Sequence, residues 1–225
     1  MEEFAKLSSS TQNLIVKHLE LVLDFNQVLN LTRIDSFEEG MLLHVEDSLA
    51  GLAELNVAPE GMLVDIGSGG GYPGIPLAVA SQRKTLLVDA RKKKAETLQA
   101  IVEKLALEEL VSTYAGRAEL LARIQPESFA VATARALAKL PVLLELASPL
   151  LKMGGHLICY KAHVDESEFN DAKRVAPMTG MYLISDRSFF LSDGKTSRRI
   201  LSFEKKRKPQ AKLPRKEGYA QKHPL

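Results

Sequence analysis

Apolar positions recur with helical spacing over the first quarter of the chain, whereas the middle of the chain alternates short apolar runs with longer amphipathic stretches. Between residues 14 and 26 this spacing places apolar side chains on one face of a long helix. A second helix is expected over residues 37–55, with Gly40 and Gly51 as weak points. The two segments predict an N-terminal helical extension, residues 1–58, packed on a larger core.

The alternating part of the chain predicts a parallel sheet. Five short apolar runs have the length of buried strands, and they fall near residues 62–66, 84–89, 110–115, 128–134 and 154–161. Each connection is long enough for a crossover helix, so these strands are expected to run parallel. We interpret Gly154-Gly155 as a turn that precedes the fifth strand.

The end of the predicted core, which covers residues 59–204, has a different pattern. Two runs, 181–191 and 199–204, flank Ser192-Asp193-Gly194-Lys195, which is typical of a β-hairpin. A parallel sheet closed by an antiparallel final strand is the order of the common methyltransferase fold. A plain dinucleotide-binding domain does not require that hairpin.

A glycine-rich loop follows the first predicted strand and precedes a helix-forming run. Residues 62–74 read Met-Leu-Val-Asp-Ile-Gly-Ser-Gly-Gly-Gly-Tyr-Pro-Gly. Such glycines let the backbone turn sharply and approach a ligand, and the helix N-terminus behind them offers free N–H groups. The pattern predicts a nucleotide-binding site.

Three ligand classes use such a loop. A phosphate-binding loop ends in Gly-Lys-Ser/Thr, but here Gly74 is followed by Ile75-Pro76. A dinucleotide register exists at positions 69, 71 and 74, which leaves a nicotinamide cofactor open. The register for S-adenosylmethionine, an acid followed by alternating glycines, is filled by Asp65, Gly67, Gly69 and Gly71. The cationic methyl donor is favoured because Asp65 would attract it and would repel a pyrophosphate.

Asp89 ends the second predicted strand, 22 residues after Gly67. An acid at this place accepts hydrogen bonds from ribose hydroxyls. Adenosine is part of both cofactors, so Asp89 does not separate them. Its alternative role is to cap the helix that begins near Arg91.

Two cations follow later strands of the predicted sheet. Arg135 follows the fourth strand and Lys161 the fifth, at the edge where such sheets bind ligands. They are expected to face a phosphate or the acceptor edge of guanine, and the alternative for each is an ion pair or a helix cap. The Asp/Asn-Pro-Pro-aromatic motif of amino-directed methyltransferases is absent, and Cys159 lies in an apolar run. Guanine N7 is an acceptor that needs neither a strong base nor a covalent intermediate.

Length and composition fit one intracellular enzyme domain. The chain has 225 residues, 45% of them hydrophobic, and no run approaches the apolar length of a membrane span. The N-terminus lacks a signal-peptide pattern, and the lone Cys159 excludes an internal disulfide. His44, His156 and His163 are too scattered for a metal site. We therefore expect a cytoplasmic enzyme without membrane or metal partners.

The net charge of +2 is unevenly distributed. Residues 204–225 carry eight Lys or Arg against two Glu, and the tail is interrupted by prolines and a glycine. The basic C-terminal tail, residues 205–225, is therefore expected to form no packed helix. We interpret it as an arm that contacts RNA phosphates, and the alternative is a solvated end.

The residues resemble one family closely, the bacterial small-subunit rRNA guanine-N7 methyltransferases (RsmG, also called glucose-inhibited division protein B). The specific part is the Pro-Gly-Ile-Pro-Leu ending of the segment 65–77. Further matching segments occur in the same order, namely Asn30-Leu31-Thr32, His44-x-x-Asp47-Ser48, Gly116-Arg-Ala-Glu119, Ala134-Arg-Ala136 and the ending Pro214-Arg-Lys…Lys222-His-Pro-Leu225. The likeness covers about residues 14–225. Two positions depart from it: Leu43 replaces a frequent basic residue, and Tyr72 replaces a usual Leu.

The resemblance implies a Rossmann-like S-adenosylmethionine methyltransferase fold, with a mostly parallel sheet, a final antiparallel strand and an N-terminal helical extension. It implies that the donor pocket is made by Gly67, Tyr72, Ala118, Glu119 and Arg135. The substrate is expected to be small-subunit (16S) ribosomal RNA or the 30S particle. The residues expected to face RNA are His44, Lys161, Arg215, Lys216 and Lys222.

His44, Asp47 and Ser48 share one face of a helix. They are expected either to present that face to RNA or to form a polar packing cluster. Two other functions stay open, a nicotinamide-dependent oxidoreductase and an inactive RNA-binding protein with a methyltransferase fold.

Overall fold

The computed structural model describes residues 1–29 and 31–225. Asn30, the first residue of one motif in the family resemblance, lies outside the described residues. The N-terminal part is helical, as the apolar spacing predicts. Its helices are α1 Glu2–Ala5, α2 Ser9–Leu29, α3 Phe37–Gly40, a π-helical segment Met41–Glu46, α4 Asp47–Leu49 and α5 Leu52–Asn56.

The second predicted helix, 37–55, is continuous only in part. Gly51 separates α4 from α5, so this weak point is a break. Gly40 instead has helical dihedral angles and leads directly into the π-helical segment. A Cβ at Gly40 would come within 2.5 Å of a Leu19 methyl, so the glycine permits close approach to α2.

A seven-stranded sheet forms the core. Its strands are β1 Leu63–Ile66, β2 Thr85–Asp89, β3 Val111–Ala115, β4 Phe129–Arg135, β5 Leu151–Lys161, β6 Met181–Phe190 and β7 Ser197–Lys205. Their order in the sheet is β3-β2-β1-β4-β5-β7-β6. The first five strands run parallel, and β7 is antiparallel to both β5 and β6. The predicted parallel sheet and closing hairpin are both confirmed.

The fifth strand begins earlier than predicted, because β5 starts at Leu151 and runs through Gly154-Gly155. The register against β4 jumps between the pairs Phe129–Leu151 and Val131–His156. The two glycines therefore form an irregularity within the strand rather than a turn before it. Gly154, with φ of 76°, has the left-handed geometry that such an irregularity uses.

Helices cover both faces of the sheet. They are α6 Gly74–Ser81, α7 Lys92–Lys104, α8 Ala118–Ile124, α9 Leu140–Ala147 and α10 Glu166–Met178. One apolar cluster joins the sheet to α8, α9 and α10, and another joins it to α6, α7 and the N-terminal helices. The strands between them are buried on both faces, which is the burial expected of parallel strands.

The C-terminal tail packs on the core, which contradicts the expectation of an arm without a packed helix. It contains a short helix, α11 Tyr219–Lys222, in which Ala220 is buried. The Arg215 guanidinium forms a bidentate ion pair with the buried Glu145 carboxylate of α9. This charge-assisted contact with a buried carboxylate of the core helps to determine where the proline-interrupted segment lies.

Candidate functional site

The glycine-rich loop connects β1 to α6 at the carboxyl edge of the sheet. The N–H groups of Gly67 and Ser68 donate to the Val88 carbonyl at 2.8 and 3.0 Å, which holds the start of the loop against β2. Gly69 has φ of +58°, and a Cβ built on it would meet only the Gly67 carbonyl oxygen, 4.0 Å away. The backbone at Gly69 therefore borders open space.

That open space is a first cavity of about 450 Å³. Gly67, Gly69, Tyr72 and Asp89 line it, as do His44 and Arg135 from beyond the loop. Two basic residues that follow β2, Arg91 and Lys94, also line it. Gly71 does not line it, since a Cβ there would meet the Ile75 and His18 side chains.

Asp89 lines the first cavity, and its carboxylate is partly engaged. One oxygen accepts from the Gly69 N–H at 3.2 Å and the other from the Arg91 N–H at 2.8 Å. The residue preceding α7 is Arg91, so Asp89 does not occupy the helix-cap position itself. A carboxylate oxygen accepts more than one hydrogen bond, so Asp89 retains acceptor capacity towards a ligand.

Asp65 lies beneath the loop rather than in the cavity, which corrects the expectation that it faces the cationic donor. Its carboxylate accepts from the Gly74 N–H at 3.1 Å and from the Thr133 hydroxyl at 2.8 Å. Burial raises the pKa of Asp65 to about 6, and these hydrogen bonds oppose that rise. Asp65 therefore braces the start of α6 against β4.

Tyr72 lies between two histidines. Its ring centroid is 4.4 Å from those of both His18 and His44, and the His44 ring is nearly parallel to it. His18 Nε2 donates to the Gly70 carbonyl at 2.8 Å. Burial lowers the pKa of His18 to about 4 and that of His44 to about 3, so both rings are neutral near pH 7.

Arg135 connects the end of β4 to the N-terminal helices. Its Nη1 donates to the Leu43 carbonyl at 2.8 Å and to Asp47 at 3.0 Å, and its Nη2 donates to His44 Nδ1 at 3.0 Å. Since guanidinium only donates, His44 Nδ1 must accept, and its Nε2 then donates to the Thr32 hydroxyl at 3.0 Å. The predicted cation at this strand end therefore positions the N-terminal segment.

A second cavity of about 520 Å³ adjoins the first and shares His44, Arg135 and Ala136 with it. Lys161 lines the second cavity, and its ammonium pairs with the Glu168 carboxylate at 2.6 Å. The ion pair, which is the alternative role predicted for Lys161, is therefore present. Arg198 of β7 also lines it and binds Asp47 at 3.1 Å.

His44, Asp47 and Ser48 form a buried polar cluster and do not present an open face. All three are less than a tenth exposed, and the Ser48 hydroxyl donates to the His44 carbonyl. Asp47 accepts from both Arg135 and Arg198. Of the three, His44 is the residue that borders both cavities.

Residues 11–191 match the GidB family, described as rRNA small subunit methyltransferase G. The ribosomal RNA small subunit methyltransferase G of Alkaliphilus metalliredigens is 32% identical over 94% of this chain and 89% of that protein. Its namesake from Streptococcus pyogenes is 34% identical over 100% of this chain and 95% of that protein. The chain belongs to the rRNA small subunit methyltransferase G family.

Solved structures agree on the fold. The O-methyltransferase from Bacillus cereus in complex with SAH aligns with a TM-score of 0.59 at 21% identity, covering 83% of this chain and 90% of that one. A geranyl diphosphate methyltransferase in complex with SAM aligns with a TM-score of 0.51 at 14% identity, covering 70% and 85%. The Rossmann-like methyltransferase fold predicted from the sequence is confirmed.

Membership of this family makes the chain an S-adenosylmethionine-dependent rRNA methyltransferase. The nicotinamide enzyme and the inactive RNA-binding protein are not favoured. The first cavity fits the cofactor, because Gly69 leaves room for a ligand where a Cβ would intrude and Asp89 contributes a carboxylate to its lining.

Several residues that the family resemblance assigns to the donor pocket or to RNA binding lie outside the two cavities. Ala118 and Glu119 are buried at the start of α8, outside the lining of the first cavity, and Glu119 accepts from the Gly218 N–H at 2.8 Å. Glu119 thus anchors the tail. Lys216 and Lys222 are exposed beside Arg117, whereas Arg215 is engaged by Glu145.

Arg198 and Leu137 also line the cavities, but the rule that ligands bind at the carboxyl ends of parallel strands does not predict them. Arg198 lies on the antiparallel hairpin, and Leu137, which lines the first cavity, follows β4 by two residues. Lone side chains of this kind carry no sequence signal. Within residues 1–29 and 31–225, no cluster of side chains has the makeup of a metal site, and no helix is long and apolar enough to cross a membrane.

Proposed function

We propose that this protein transfers a methyl group to N7 of guanine in small-subunit ribosomal RNA, with the donor in the first cavity and the base in the second. The observation that carries the proposal is the wall of His44, Arg135 and Ala136 that the two cavities share. Residues that line both cavities lie where the two cavities meet. A donor in one cavity and an acceptor in the other would approach each other there, and direct transfer requires the sulfonium methyl and the acceptor nitrogen to come within about 3–3.5 Å of each other with no side chain between them. The second cavity has the size of a small-ligand pocket.

The donor is proposed to contact Gly67, Gly69, Tyr72 and Asp89, which line the first cavity. When bound, S-adenosylmethionine supplies an activated methyl group on a sulfonium. Asp89 would accept hydrogen bonds from the ribose hydroxyls. Arg135 would keep the wall between the cavities in place through Leu43, His44 and Asp47.

The titratable groups near the residues shared by the two cavities are poor bases and nucleophiles, which favours an acceptor atom that carries no proton. His44 has a pKa of about 3 and already accepts from Arg135, so it is a weak base. Cys159 is buried and its pKa is raised to about 12, which disfavours a thiolate nucleophile. Guanine N7 has a lone pair and needs no proton removed, so positioning suffices.

The substrate is proposed to be small-subunit rRNA, naked or within the 30S particle, which implies a cytoplasmic site of action. The test incubates wild-type protein with deuterium-labelled donor and either naked rRNA or 30S particles from cells lacking this activity. Nucleoside mass spectrometry is expected to find labelled 7-methylguanosine, and mass spectrometry of nuclease fragments is expected to place it at one position. Label on adenine or cytosine would contradict the chemical assignment.

A further inference from the structure

The second cavity contains a cation whose hydrogen bonds leave one nitrogen available. Arg198 Nε donates to Asp47 at 3.1 Å, and its Nη1 donates to the Ser197 carbonyl at 3.0 Å. Its Nη2 has no hydrogen-bond partner among residues 1–29 and 31–225. The side chain is only 16% exposed, so this nitrogen belongs to a guanidinium held in place at the cavity.

The other two cations of the second cavity are engaged more fully. Arg135 uses both terminal nitrogens on the N-terminal segment. Lys161 donates to the Glu168 carboxylate at 2.6 Å and to the Ala138 carbonyl at 3.2 Å. The Asp47 carboxylate binds Arg135 through one oxygen and Arg198 through the other, so it fixes the two guanidiniums relative to each other.

We propose that Arg198 selects the acceptor base by donating from Nη2 to O6 of guanine. This inference rests on the proposed function and adds a specificity-determining residue to it. Guanine carries an acceptor at O6, whereas adenine carries an amino donor at the same position. An adenine there would place a donor against a donor and leave both unpaired. Because this contact engages only O6, the lone pair of N7 stays free to attack the methyl group.

The contact acts on binding rather than on the chemical step. Methylation leaves positive charge on the purine, and a neighbouring guanidinium does not stabilise that charge. Removal of Arg198 is therefore expected to raise KM and to leave kcat nearly unchanged. The expected loss in kcat/KM is about 10- to 100-fold, the range for one charged hydrogen bond.

The test uses RNA substrates that differ only in the nucleotide at the position where the methyl group is found. Guanosine is compared with inosine, which keeps O6, and with 2-aminopurine riboside, which keeps N7 and the 2-amino group but lacks O6. Wild-type protein is expected to accept guanosine and inosine and to disfavour 2-aminopurine by about 10- to 100-fold. Arg198→Met is expected to bring guanosine down to the 2-aminopurine level.

The matched control is the next residue along β7. Arg199 pairs with Asp186 at 2.6 Å and does not line the second cavity, so Arg199→Met should keep the wild-type base preference. Arg198→Lys, which keeps the charge but not the planar guanidinium, is expected to lose the preference and serves if the Met variant does not fold. Thermal melts and donor titrations establish that each variant is folded.

Equal wild-type rates on guanosine and 2-aminopurine RNA would overturn the inference. So would an unchanged preference in the folded Arg198 variants, or the same loss in Arg199→Met. None of these results affects the guanine-N7 proposal, because the wild-type product is identified independently. A product other than 7-methylguanosine would instead overturn the proposed function.

Discussion

At the scale of single residues, some members of the glycine loop motif hold the loop in place and others leave room for the donor. Asp65 holds the loop by accepting from the Gly74 N–H, and Gly71 lets the loop pack where a Cβ would meet the Ile75 and His18 side chains. Gly69 leaves room, because the space beside it is open. The motif is readable in the sequence, but which of its members faces the ligand depends on how the loop packs against β2 and β4.

Gly69→Ala is expected to impair donor binding beyond its effect on stability. The backbone at φ of +58° makes any L side chain strained, at a cost of about 1–2 kcal/mol, and the new methyl would also enter the first cavity. Donor affinity should fall by at least about tenfold in calorimetric titration, an order-of-magnitude expectation for lost contacts.

The control for this substitution is Gly194→Ala in the hairpin turn. Gly194 has a similar φ of +65°, with nothing within 4 Å of its Cβ position, so it isolates the backbone strain. Both variants should lose similar unfolding free energy, while only Gly69→Ala loses affinity for the donor. Equal donor binding by the two would show that the donor does not approach Gly69.

At the scale of elements, the tail illustrates why the sequence predicts the sheet better than the periphery. Strands β1, β2 and β4 are recognisable because burial on both faces demands continuous apolar runs. The tail has no such run, and its position depends on single long-range contacts from Arg215 to Glu145 and from Gly218 to Glu119. A composition rich in Lys and Pro gives no sign of these partners.

The basic residues of the tail are expected to have two different roles, one in stability and one in RNA binding. Arg215→Met would leave the buried Glu145 unpaired and should cost about 2–3 kcal/mol of unfolding free energy, below the full value for a buried pair because Arg215 is partly exposed. Lys216→Met and Lys222→Met, at exposed positions, should leave stability unchanged. Denaturant titration measures both.

The same Lys variants are expected to weaken RNA binding. Each lost phosphate contact should lower the salt slope of log affinity by about 0.7–0.9, while donor affinity stays constant. Fluorescence anisotropy with labelled rRNA at several salt concentrations measures this slope. If the slope does not change in either Lys variant, the tail makes no phosphate contact through these side chains.

At the scale of the whole molecule, two buried titratable groups make the unfolding free energy depend on pH in the acid range. They are His18 of α2 and Asp65 beneath the glycine loop, and their native pKa values are shifted in opposite directions. His18 has a native pKa of about 4, below its ordinary value of 6.5, so the unfolded chain binds its proton first as pH falls. This contribution to stability is therefore lost between pH 6.5 and 4. Asp65, with a native pKa of about 6 against 3.8, binds its proton first in the folded state and contributes in the opposite sense.

Two variants are expected to change the acid dependence in opposite directions. His18→Gln should reduce the loss of unfolding free energy between pH 6.5 and 4, and Asp65→Asn should increase the loss between pH 6 and 4. The slope changes by at most about 1.4 kcal/mol per pH unit for one proton. Urea titrations at half-unit pH steps measure it, and parallel curves for wild type and both variants would contradict the assignment.

The shared wall of His44, Arg135 and Ala136 has a thermodynamic consequence for any pair of ligands that use the two cavities. If one ligand changes the affinity of the other by some factor, the second must change the affinity of the first by the same factor. If RNA makes the demethylated donor bind more tightly, that product must therefore raise the affinity for RNA by the same factor. An inhibitor of one cavity would accordingly be more or less potent depending on what fills its neighbour.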